Sequence, residues 1–332
     1  MSFLVYAGDG KCQRAAVDPA WEQPASDLIR PETYLADTRL VDTVNVALLL
    51  QQPLLITGES GAGKTQLARS LAWELGLGEP LTFIAQPTSL ARDLFYTYDA
   101  RGHYDAAQRT GRSEPLAFLH YHALGEAILR ANDPAEVAAF IPPGFEHTGK
   151  RRTVVLIDEI DQAPDTFAED LIGALERMSF RVRELRNAQL STTPEMRPIV
   201  VITSDLHKSP PQVLLDSCTH YELAFPDAER IKDIVASRLG ERAGLSAQVF
   251  DDAVAFFLNL REQTPARPRP GLQQFLNWML SLRRTVNGHE RNLFMREPDR
   301  VVETLDQLVT RTQDLKHADV ALSEWLMTQR RR

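Results

Sequence analysis

The stretch Gly58-Glu59-Ser60-Gly61-Ala62-Gly63-Lys64-Thr65 fits the pattern GxxxxGK[ST], and with its flanks it restricts the possible folds more than any other feature. Ahead of it stands Pro53-Leu54-Leu55-Ile56-Thr57, a short apolar run of the kind that forms a buried parallel strand. Behind it Leu67, Leu71 and Leu75 recur at helical spacing and Gly76 follows, which predicts an amphipathic helix with a glycine at its C-terminal end. A strand, a glycine-rich turn and a helix in that order turn successive backbone N–H groups toward one point, and the helix dipole adds to their pull on an anion. The candidate triphosphate-binding residues are therefore Gly58, Glu59, Ser60, Gly61, Ala62, Gly63, Lys64, Thr65 and Gln66. Lys64 is expected to reach the β- and γ-phosphates, and Thr65 to give its hydroxyl to Mg²⁺.

A second run, Thr153-Val154-Val155-Leu156-Ile157-Asp158-Glu159, places two carboxylates at the C-terminal edge of another apolar strand, the edge where ligands bind in parallel sheets. Acidic pairs also cap helices, but next to a triphosphate loop they suggest chemistry: Asp158 to hold Mg²⁺ through water, Glu159 to polarise an attacking water. Apolar runs at 81–85, 199–203 and 221–225 read as further strands, and a helix is expected over 34–50. Alternating strands and helices imply an α/β fold with a parallel sheet covered on both faces. After Pro226 the strand signals stop, and helices are expected over 228–239, 247–261, 272–284 and 301–315, forming a small all-helical lid. The expected organisation is an arm over 1–29, a nucleotide-binding α/β domain over 30–226, and a lid with a tail over 227–332.

Composition narrows the function classes. A net charge of −8 and a pI near 5.6 oppose a broad nucleic-acid surface. Cys12 and Cys218, in no CxxC pattern, exclude a disulfide framework, and His120 and His122 lack partners at metal-ligand spacing. No apolar run approaches membrane-span length and no signal peptide is apparent, so a cytoplasmic protein is expected.

The LIDEID segment over 156–161, together with GESGAGKT, resembles the AAA+ ATPases, and the resemblance sharpens to their MoxR-type branch. SLARDLFYTYDA over 89–100, LIDEIDQAPDTFAEDLIGALE over 156–176 and RPIVVITSD over 197–205 agree with it, so that it spans roughly residues 34–282. It implies ATP and Mg²⁺ as cofactors, ATP hydrolysis, a hexameric ring with nucleotide sites between subunits, and remodelling or activation of a partner protein, often one with a von Willebrand A domain.

Three positions depart from that family's pattern. Asp205 stands where relatives have the asparagine that senses the γ-phosphate, with Thr203 and Ser204 as neutral substitutes. Asp216-Ser217 stands where relatives carry arginines, so the usual arginine finger is missing. Lys208, Arg177, Arg181 and Arg183 remain as cations able to approach a neighbour's site. Arg269, with Arg267 as second choice, precedes the helix that bears a second sensor in relatives and is the candidate γ-phosphate contact of the lid. Two alternatives stand beside the ATPase reading: a nucleotide-holding regulatory subunit with weak or no hydrolysis, and a GTP-dependent nucleic-acid translocase subunit. A small-molecule kinase is disfavoured, because it has no use for the water-activating Glu159.

Overall fold

The computed structural model describes residues 30–110, 113–206, 208–263, 269–285, 292–309 and 312–330. The arm expected over 1–29 and Arg267 lie outside them. The chain divides into two compact units, one of Ala36–Glu59 and Gly63–Ala224, the other of the segment ending at Leu35, Ser60–Ala62 and Phe225–Arg332.

In the first unit, α1 (Thr38–Leu50) leads into β1 (Leu54–Gly58) and α2 (Lys64–Glu74). Asp37 sets the start of α1 by accepting Leu40 N–H at 2.8 Å, so the helix begins four residues later than its apolar spacing suggested. There follow β2 (Leu81–Ile84), β3 (Tyr96–Tyr98), α3 (Ala100–Thr110), β4 (Leu119–Tyr121), α4 (Ala123–Arg130), β5 (Val154–Asp158) and α5 (Asp165–Arg177). The unit closes with β6 (Ser179–Val182), β7 (Ala188–Ser191), β8 (Ile199–Asp205), α6 (Gln212–Ser217) and β9 (Thr219–Leu223).

Five strands form one parallel sheet in the order β2-β5-β8-β1-β9. Its central residues, Leu55, Val155, Ile157, Val200 and Ile202 among them, are buried, as unbroken apolar strands covered on both faces must be. Pairs β3–β4 and β6–β7 are antiparallel ribbons that the apolar runs had not announced. The last sheet strand is Thr219–Leu223 rather than 221–225, because its register is fixed by pairing, from Leu54↔Thr219 to Gly58↔Leu223.

The second unit is helical: α7 (Ala228–Leu239), α8 (Ala247–Gln263), α9 (Leu272–Thr285), α10 (Leu293–Arg296), α11 (Pro298–Val302) and α12 (Thr312–Arg330). Phe256, Phe257, Phe275, Trp278 and Phe294 are fully buried at its centre. The single helix expected over 301–315 is not formed. α11 stops at Val302, a 3₁₀ turn occupies Leu305–Gln307, and α12 takes the chain onward. Val301, Leu305 and Leu308 are buried as their spacing required, but the turn is fixed by Thr304, whose hydroxyl accepts Trp278 Nε1–H at 2.8 Å and donates to Val301 O at 2.8 Å. Apolar spacing reports which side chains go inside, not that the backbone between them is one helix. Among the described residues no helix is long and apolar enough to cross a membrane.

Candidate active site

The parallel sheet brings the C-terminal ends of β1, β5 and β8 side by side, and the sequence-predicted residues of the first unit meet there. Gly58 ends β1. A Cβ on it would stand 2.4 Å from Leu223 O, so only glycine lets β9 approach this closely. Gly63, the N-cap of α2, has φ 106°, a conformation that costs glycine little, and no side chain caps the helix N–H groups that follow it.

Lys64 opens α2 and is 8% exposed. Its ammonium donates to Gly58 O and Glu59 O, each at 2.9 Å, and pairs with the Asp205 carboxylate. All three of its donors are thereby engaged. Asp205 is the last residue of β8 and lies opposite Gly58 in the strand register. It is thus part of the cluster rather than a bystander in a turn. Its own N–H donates to Asp161 Oδ1 at 2.9 Å.

Asp158 ends β5, and its carboxylate accepts the Thr65 hydroxyl at 3.1 Å to each oxygen and the Thr203 hydroxyl at 2.5 Å. Thr203 in turn accepts Glu159 N–H at 3.0 Å. Glu159 itself sits in the left-handed region, φ 58° and ψ 47°, which is strained for a residue with a side chain. Partial burial is the main cause that raises its carboxyl above the ordinary glutamate value; Asp158, Asp205 and Asp161 add to the rise, and Lys64 opposes it.

Sequence reasoning named Thr203 only as a substitute sensor, whereas its hydroxyl joins the two acids of the DE pair. Asp161 had no assigned role, although it is the last acid of the DEID run. A further polar contact, Thr57 Oγ1 with His220 Nε2 at 2.9 Å, ties β1 to β9 and had no signal at all, because it spans 163 residues. Arg269 is exposed and belongs to the helical unit.

The donor set fits a nucleotide and its metal. Backbone N–H groups at the start of α2 and a buried ammonium suit phosphate oxygens, and the Thr65 hydroxyl beside the Asp158 carboxylate offers the hard oxygen donors that Mg²⁺ prefers. Residues 53–211 match the family model described as AAA domain, dynein-related subfamily. No curated protein matches the chain. The five-stranded parallel sheet flanked by helices, with a helical C-terminal region, is an AAA+ P-loop NTPase fold, and the matched segment supports an AAA+ ATPase family, whose members generally bind ATP with Mg²⁺ and hydrolyse it.

Proposed function

We propose that this chain is a MoxR-type ATPase that hydrolyses ATP to remodel or activate a partner protein in the cytoplasm, working as a ring of subunits. The observation that carries the reading is the convergence of Lys64, Thr65, Asp158 and Thr203 at adjoining strand ends, with Glu159 beside them. Lys64 serves the phosphates, Thr65 and Asp158 hold the metal, and Glu159 accepts the proton of the attacking water. Mg²⁺, when bound, supplies charge neutralisation at the phosphate oxygens. The raised carboxyl of Glu159 suits a base, because proton acceptance is most efficient when the pKa is moved toward the working pH.

The Lys64–Asp205 pair favours a second reading, a subunit that holds nucleotide and turns it over slowly. A triphosphate has to replace Asp205 as the partner of Lys64, and a carboxylate left beside it repels the phosphoryl charge. Phosphate release and nucleotide binding, measured with ATP and with GTP, separate these readings. Lys64→Ala is expected to abolish binding of the triphosphate. Glu159→Gln keeps binding and blocks turnover, and Asp205→Asn raises the rate. Equal loss of binding in the first two variants would remove Glu159 from its role, and an unchanged rate in a folded Asp205→Asn protein would leave the slow-turnover reading without its cause.

A further inference from the structure

A cleft of about 860 Å³ lies in the α/β unit away from the strand ends, between α5, the β6–β7 ribbon and the segment that leads into β3. That volume is within the range of roughly 300–1,000 Å³ found for ligand sites. Its floor is aromatic. Phe95 and Phe180 are buried and stack with centroids 4.9 Å apart, and Tyr96 lies against Phe180 at 6.0 Å.

The rim is cationic. Arg92, Arg177, Arg181 and Arg183 line the cleft and are exposed. Among the described residues, Arg177, Arg181 and Arg183 have no salt-bridge partner, and Arg92 reaches Asp93 only at 3.8 Å. Three acids share the lining, so the arginines exceed them by a single charge. Glu184 is held by the Tyr96 hydroxyl at 3.0 Å and Asp93 by Leu90 N–H at 2.9 Å, and Asp170 stands on α5. A chain with net charge −8 thus concentrates unpaired guanidinium groups around an aromatic floor.

We infer that this cleft docks an acidic peptide segment of a partner protein, with carboxylates on the arginine rim and an apolar side chain over the rings. Guanidinium forks match carboxylates bidentately, and such pairs are stronger than neutral hydrogen bonds. Nucleic acid is the less fitting polyanion. A long phosphate chain runs on beyond the cleft over a molecule of net charge −8, whereas a short acidic segment meets the arginines alone. The inference stands apart from the nucleotide site and is tested without turnover.

The probe is the fluorescein-labelled peptide Glu-Glu-Phe-Glu-Glu-Phe-Glu-Glu, titrated against the full chain by anisotropy. Saturable binding that weakens as salt is raised is expected, with Arg181→Glu and Arg183→Glu each costing about tenfold in affinity, the loss of one charge-assisted pair. Arg186→Glu removes the same charge from the turn of the same ribbon but outside the cleft, and retention of affinity there, with unaltered melting of all three variants, completes the expected result. The proposal is overturned by absence of binding, by equal losses in Arg186→Glu, or by tighter binding of an oligothymidylate of matching length with the same arginine dependence.

Discussion

Thr203 is the residue on which the two acids of the site depend, since one hydroxyl donates to Asp158 and accepts from Glu159 N–H. Replacing it by the isosteric valine leaves that N–H without its partner and the carboxylate with one donor fewer, a loss of about 1–3 kcal/mol for the orphaned group. Thr203→Val is expected to melt earlier and to lose kcat more than KM, while Thr203→Ser restores both; equal kinetics in valine and serine variants would assign the hydroxyl no part in orienting the acids. Glu159 gives a pH-dependent test. Its folded carboxyl is raised, so the folded state binds the proton more tightly than the unfolded chain does. The ionised side chain therefore lowers stability, and stability falls as pH rises from the ordinary glutamate value of 4.5 through the raised one. Glu159→Gln is expected to melt higher than the parent at neutral pH, with the difference closing as pH falls through that window. A constant difference across the range would mean that ionisation is not its source.

At the scale of elements, the site exists because β1 lies between β8 and β9, not because its motifs are strong. The close approach of β9 requires Gly58, as a Cβ there would press on backbone, which cannot swing aside as a side chain does. Gly58→Ala is expected to cost about 1–3 kcal/mol through forced backbone shifts and to weaken triphosphate binding with it. Thermal melting and nucleotide titration check both parts, and normal melting would show that β9 yields more easily than the contact implies. By contrast, α7 owes its limits to local signals. Asp227 accepts Arg230 N–H at 2.9 Å and Gly240 follows its last residue, so the bounds 228–239 expected from the sequence coincide with local signals.

For the whole molecule, the proposed hydrolysis calls for a second cation at the phosphoryl group. Asp216 is exposed on α6 and accepts Gln212 Nε2–H at 2.7 Å, and as a carboxylate it brings no positive charge to a phosphoryl group. An arginine brought from another subunit contributes on the order of 10³–10⁵ in rate. The purified protein is therefore expected to turn ATP over slowly, and Asp216→Arg to accelerate it about tenfold or more, roughly 1.4 kcal/mol of barrier. Brisk turnover of the unmodified protein that collapses on Arg177→Ala would relocate the finger to α5. By itself the sequence determined what lies within a turn or two of the chain: the strand, glycine turn and helix at Gly58 to Thr65, the acidic pair ending β5, and the capped helices. These follow from periodicity, glycine conformation and capping, which act between near neighbours. Only the tertiary structure decided that Asp205 pairs with Lys64, that Thr203 joins Asp158 to Glu159, and that arginines from α5 and the β6–β7 ribbon face one aromatic floor. The first two depend on strand order and register, set by hydrogen bonds between segments far apart in the chain, and the third on the packing of Phe95 against Phe180, and no local spacing encodes them.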